Sequence, residues 1–111
     1  MVAASEDGKL VQVATFALLK PYNAALFKRV DKELRARMRQ VAAQSGGTVS
    51  SGSTVTAGGI RSHRYQVTTV DHVDEYTFVL RARREYQLLC RRGKSDETDF
   101  CDRLVRTFAP A

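Results

Sequence analysis

The sequence predicts an α+β fold: a mainly antiparallel sheet of about five strands with one long and one C-terminal helix, in the order β-α-β-β-β-β-α. Three observations carry this. One apolar stripe at helical spacing runs through the residues after Pro21. From Thr48 to Arg92 the chain is rich in β-branched and aromatic residues that alternate with polar ones and are broken by glycine and turn signals. A second, shorter helical stripe closes the chain. At 111 residues the length suits a single domain, 1–111, with 1–8 expected as a flexible N-terminal segment.

Lys9 to Leu19 reads as a strand whose two faces, Val11/Val13/Thr15/Ala17 and Ala14/Phe16/Leu18, are both largely apolar. That pattern predicts an interior strand covered on both sides. Lys20-Pro21 ends it, and the helix begins between Pro21 and Ala24, with Asn23 a plausible cap. Phe27, Val30, Leu34, Met38 and Val41 form the buried stripe. Asp31 with Arg35 and Glu33 with Arg37 stand in the favourable acid-first i,i+4 order, and Gly46-Gly47 stops the helix. Its cations Lys28, Lys32, Arg35 and Arg39 stand at the spacing of an anion-binding ridge, but with Asp31 and Glu33 among them they read rather as a solvated outer face.

Thr48 to Thr56 predicts a weak edge strand with Gly52 as a bulge, and Ala57-Gly58-Gly59 a turn. Ile60 to Val70 is a longer strand with Tyr65 and Val67 toward the core. Asp74 to Cys90 then predicts a hairpin with its turn at Arg83-Arg84-Glu85. Burial favours a register pairing Leu80 with Leu88, Phe78 with Cys90 and Val79 with Leu89. Ser95-Asp96-Glu97 starts the last helix, whose stripe is Phe100, Cys101, Leu104, Val105 and Phe108.

A hydrophobic content of 43% and a charged content of 27% exclude disordered and collagen-like classes. No apolar run approaches the roughly 20 residues that a transmembrane helix needs, and MVAASEDGKL has no apolar signal core. The net charge of +6 admits polyanion partners, but thirteen of the eighteen cations are arginines after position 28, spread over helix, strands and turns, which argues for a solvated basic surface rather than one stripe. No nucleophile elbow, phosphate loop or dinucleotide fingerprint is present, so neither catalysis nor a cofactor is expected. Asp71-His72-x-Asp74 reads as turn chemistry rather than as a metal site.

The run GGIRSHRYQVTTV…DEYTFVLRARREYQLLC…CDRLVRTF resembles the C-terminal two-thirds of the PsbP-like fold. Extrinsic photosystem II proteins, a nuclear-import factor that binds a small GTPase, and small bacterial extracytoplasmic lipoproteins share that fold. The Arg64-Tyr65 step, the aromatic strand, the Tyr86-x-Leu88 strand and the Leu104-x-x-x-Phe108 helix carry the resemblance, over about residues 10–109. Relative to most members, an initial hairpin and one loop region are missing. The resemblance implies a bacterial, non-enzymatic binding or assembly module with a protein or cell-envelope partner. It also implies an extracytoplasmic setting, with a signal peptide removed ahead of this sequence; the cytoplasm is the alternative.

Cys90 and Cys101 are compatible with a disulfide or with two buried thiols; their spacing allows the bridge, and the extracytoplasmic leaning of the resemblance favours it. No Cys-x-x-Cys supports a redox role, and zinc lacks further ligands. On the expected hairpin register, Arg81 and Arg91 flank Val79 and Leu89, with Arg83 and Arg84 at the turn. Such a face would be a basic surface with an apolar centre, suited to a protein partner or, alternatively, to nucleic acid or another polyanion. The aromatics that would stack bases fall on the other face.

Overall fold

The computed structural model describes residues 2–6, 9–50, 52–94 and 99–109. Strands β1 (Val2–Glu6) and β2 (Lys9–Tyr22) precede a 3₁₀ turn (Ala24–Leu26) and helix α1 (Phe27–Ser45). Strands β3 (Thr48–Val49), β4 (Ser53–Ala57), β5 (Ile60–Thr68) and β6 (His72–Gly93) follow, and α2 (Asp99–Thr107) ends the chain. From Lys9 onward this is the predicted β-α-β-β-β-β-α order in an antiparallel sheet. The sheet runs β1-β2-β6-β5-β3, with β4 sharing with β3 the outer edge of β5.

The elements differ from expectation in several places. Val2–Glu6, within the segment expected to be flexible, is a strand paired with β2, and β2 continues past Lys20-Pro21 to Tyr22. The single weak strand expected over 48–56 is two short strands separated at Gly52, whose φ of +79° breaks the ladder. The two strands expected from Glu75 to Arg92 are one continuous extended element, β6, that doubles back on itself. Asp74 and Arg91, 17 residues apart, are hydrogen-bonded at 2.8 and 3.1 Å. A straight strand would separate them by about 55 Å, whereas the longest dimension of the whole chain is 37 Å. The reversal is centred on Ala82, the described non-glycine residue with positive φ, +52°. The first arm pairs with β5 (Val73–Phe78) and the second with β2 (Ala82–Arg91).

The predicted hairpin therefore forms, but not with the predicted turn or register. Arg84 and Glu85 already lie in the ladder, opposite Ala17 and Phe16. Even-numbered residues of the first arm share a face with odd-numbered ones of the second. Tyr76 and Phe78 cluster with Leu89 under α1, and Val79 clusters with Tyr86 and Leu88 on the other side. The predicted register assumed one buried face, where a slip would bury polar residues. Here both faces are covered, by α1 and by α2, so apolar side chains are accommodated on either.

Helix α1 buries Leu34, Met38 and Ala42 against Tyr65, Val67 and Phe78, with Val30 and Val41 at the margin, much as the stripe predicts. The α-helix starts at Phe27, later than expected, because Ala24–Leu26 form a 3₁₀ turn; Asn23 caps that turn, its Oδ1 accepting from the Ala25 N–H at 3.0 Å. Gly46 ends the helix with a left-handed φ of 71°. Asp31 and Arg35 pair at 2.8 Å as predicted, but Arg37 turns away from the helix to Glu85 at 3.1 Å. The predicted start of the last helix at 95–97 lies outside the described residues. Leu104 and Val105 of α2, with Phe108 just after it, close the second core, whereas Phe100 is exposed. Cys90 and Cys101 form a buried disulfide between β6 and α2, with Cα atoms 5.7 Å apart.

Candidate functional site

The most distinctive surface lies where β2 runs alongside the reversal of β6. Ala17 pairs with Arg84 and Tyr22 with Ala82, so β2 advances five residues while β6 advances two, and Leu18 to Pro21 bulge out. Pro21 has no N–H to offer the ladder, which accounts for a bulge at this point. Leu18 turns inward to a cavity of about 210 Å³ that Leu26, Val30, Leu34 and Leu80 also line. Leu19 turns outward and is 97% exposed, and Phe16 is 48% exposed. The expected burial of both faces of β2 thus fails in its second half, beyond the stretch paired with β1, which ends at Val13.

Four cations surround this apex. Lys20, Arg81, Arg83 and Arg84 are all exposed, and Arg83 Nη1 donates to the Leu19 carbonyl at 3.4 Å, holding the bulge against the hairpin. Residues 15–22 and 81–84 contain no acid. The nearest in sequence, Glu85, has a side chain only 9% exposed and is engaged by Arg37. Charge within these two segments is of one sign; the exposed acid Glu33 of α1 lies beyond them, across the cavity that Leu18 and Lys20 line.

Of the surface residues predicted from the sequence, the structure brings together Arg81, Arg83 and Arg84 and disperses the rest. Val79 and Leu89 are buried on opposite sides of the sheet. Arg91 belongs to the α1 side, where it grips Asp74. No surface with Val79 and Leu89 at its centre exists, because the register that would build it is not the one formed. Leu19, Lys20 and Phe16 escaped the sequence reading. Lys20-Pro21 at the end of an apolar strand was the available signal, since a strand interrupted by proline cannot keep its neighbours in alternation.

A second polar cluster lies on the α1 side. Asp31 Oδ1 accepts from the Tyr65 hydroxyl, and Asp31 Oδ2 accepts from Arg35 Nε at 2.8 Å. His63 stacks on Phe27 with ring centroids 3.9 Å apart, and Arg61 lies over the Phe27 ring at 4.0 Å. His63 Nδ1 is 3.6 Å from Asp31 Oδ1, and Nε2 is buried without a hydrogen-bond partner. Burial pushes the imidazole below its ordinary pKa, more strongly than Asp31 pulls it up. Burial also raises the Tyr65 phenol, and its hydrogen bond to Asp31 adds to this. For Asp31, burial alone would raise the carboxyl, but the Tyr65 and Arg35 hydrogen bonds outweigh it and the net shift is downward.

On the α2 side, Arg64 Nη2 bridges Glu75 at 2.6 Å and Asp102 at 3.1 Å, and Gln66 donates to Glu75 at 2.6 Å. This network ties α2 to the sheet. Among the described residues, no three His, Cys, Asp or Glu side chains gather as metal ligands, and no helix is long and apolar enough to cross a membrane. No family model, no curated protein and no solved structure matches the chain.

Proposed function

We propose that this chain is a non-enzymatic binding module of the cell envelope that docks on an anionic lipid surface through its β2–β6 tip. One observation carries the reading: Leu19, almost wholly exposed, stands on two joined segments, 15–22 and 81–84, whose four charged residues are all exposed cations. A leucine in that position can enter the headgroup boundary, where its burial is worth about 1.5–3 kcal/mol. Each lysine or arginine near an anionic surface adds about 1 kcal/mol. The reading narrows the expected protein or envelope partner to the envelope surface itself. The buried Cys90–Cys101 disulfide supports an extracytoplasmic, oxidising compartment. The PsbP-like resemblance supports the same setting.

The test is co-sedimentation with vesicles of phosphatidylcholine, with and without phosphatidylglycerol. Binding only to the anionic vesicles, weakened by salt and by Leu19→Ser, is the expected result. Equal pelleting with both lipids, or with neither, would overturn it. The exposed arginines favour a second reading, a polyanion-binding face for nucleic acid. In that case Leu19→Ser leaves DNA binding unchanged, while Arg83→Ala with Arg84→Ala abolishes it.

A further inference from the structure

The second polar cluster opens on a cavity of about 370 Å³ between the first turns of α1 and the start of β4, lined by Lys28, Asp31, Arg35, Ser53, Thr54 and His63. From the sequence, Lys28 and Arg35 read as part of a solvated face in preference to an anion-binding ridge, and Ser53 and Thr54 carry no ligand reading. Its volume falls within the range of small-molecule sites, and it is half open to solvent.

The cavity is built by a close backbone approach. A Cβ on Gly52 would stand 2.7 Å from the Tyr65 ring, and the backbone there has a φ of +79°, so only glycine carries β4 this near to α1. That approach sets Thr54, paired with His63 and on its face of the sheet, across the cavity from Lys28 and Arg35; Ser53, paired with Arg64, reaches the lining from the other face. Asp31, the one carboxylate in the lining, has both oxygens occupied, Oδ1 by Tyr65 and Oδ2 by Arg35 Nε. Arg35 is thereby fixed by its Nε, and its Nη2 lies 3.5 Å from the position a Gly52 Cβ would take, at the cavity wall. His63, 3% exposed, adds an imidazole whose Nε2 has no hydrogen-bond partner. What remains to meet a ligand is the free end of one guanidinium, one ammonium, the Thr54 hydroxyl and an imidazole nitrogen. Asp31 stays ionised and its charge is balanced by Arg35, so Lys28 supplies the net positive charge of the cavity.

We propose that this cavity is a binding site for a small oxyanion, a free metabolite-sized carboxylate or phosphate, distinct from the basic tip and independent of its role. Guanidinium and ammonium groups with hydroxyl donors recognise either oxyanion through charge-assisted hydrogen bonds. Both faces of the Phe27 ring are taken by His63 and Arg61, so the ligand gains no stacking partner there and is held by its charged end.

Isothermal titration of the intact protein with inorganic phosphate and, separately, with succinate tests this. Saturable binding of phosphate alone assigns a phosphate ligand, succinate alone a carboxylate, and both a general oxyanion site. Lys28→Ala and Thr54→Val should each weaken binding about tenfold, the scale of one charge-assisted contact. The tip variant Leu19→Ser with Arg83→Ala should leave it unchanged. Absence of binding for both anions at tens of millimolar would overturn the proposal. So would affinities that follow the tip variant rather than Lys28 and Thr54.

Discussion

Arg91 grips Asp74 with two parallel hydrogen bonds, 2.8 and 3.1 Å long, joining the two arms of the folded β6 strand. The fork is bidentate, the geometry in which an arginine–carboxylate pair is most specific. The Asp74 side chain is only 6% exposed, while that of Arg91 is 37% exposed, so the two partners are not equivalent. His72 Nε2 stands 3.5 Å from the same carboxylate.

Arg91→Ala should therefore do more harm than an exposed ion pair would suggest, because it leaves a buried carboxylate with its main partner gone. Solvent access to the arginine side moderates the effect, and a loss of about 2 kcal/mol is expected, between the surface and buried limits. Urea denaturation at neutral pH reads it directly. A change below half a kilocalorie would mean that the arms of β6 do not depend on this pair.

The Cys90–Cys101 bridge closes a loop with a sequence separation of 11 between the last strand and α2. Restricting so short a loop in the unfolded chain stabilises the fold by about 3 kcal/mol in the chain-entropy account. Cys90→Ser with Cys101→Ser should lower the melting temperature by several degrees, and reduction of the parent protein should reproduce the shift. Intact mass after alkylation without reductant should show no modified thiol. Alkylation of both cysteines would contradict the bridge.

The parts of the fold set by local rules were legible in the sequence. Helix α1 announces its buried stripe through Leu34 and Met38 and its end through Gly46, and β5 announces Tyr65 and Val67. What alternation alone could not decide was register. Leu88 and Leu89 are both apolar and both buried, on opposite faces, so a pattern argument that allots one face to solvent has no purchase on them. The turn was misplaced because Ala82 carries no turn signature, although it adopts the positive φ that the reversal needs. The candidate surface followed the register. Arg83 and Arg84 were placed at the turn by proximity in sequence, but Leu19 reaches them only through a bulge in a strand 60-odd residues earlier. The cavity at His63 depends on Gly52 passing Tyr65, a contact between distant segments that no local pattern reports.

Stability should decline as the solution is acidified below neutrality. Burial holds His63 below the ordinary imidazole value of 6.5, so the unfolded chain takes up the proton first. Its contribution is complete above that value and is lost as pH falls through the lowered folded one. Asp31, also held below its ordinary 3.8, acts with the same sign at still lower pH, through loss of the Tyr65 and Arg35 hydrogen bonds. Melting temperatures measured across this range should fall toward acid, and His63→Phe, which keeps an aromatic ring against Phe27, should flatten the upper part of the curve. An unchanged slope in that variant would remove His63 from the account.

Ala82 offers the sharpest check on the reversal of β6. An alanine at a φ of +52° sits in the left-handed region, where its Cβ crowds the following carbonyl at an expense of about 1–2 kcal/mol. Glycine relieves that crowding but adds freedom to the unfolded chain, which offsets part of the gain. Ala82→Gly should therefore stabilise the protein by about 0.5–1 kcal/mol. Ala82→Val, which brings a β-branched side chain to the same backbone conformation, should destabilise it by more than 1 kcal/mol. Since Ala82 is exposed and its side chain fills no cavity, packing gives no competing reason for opposite signs in the two variants. Paired urea titrations measure both. Equal, small changes of one sign would place the reversal elsewhere in 81–84.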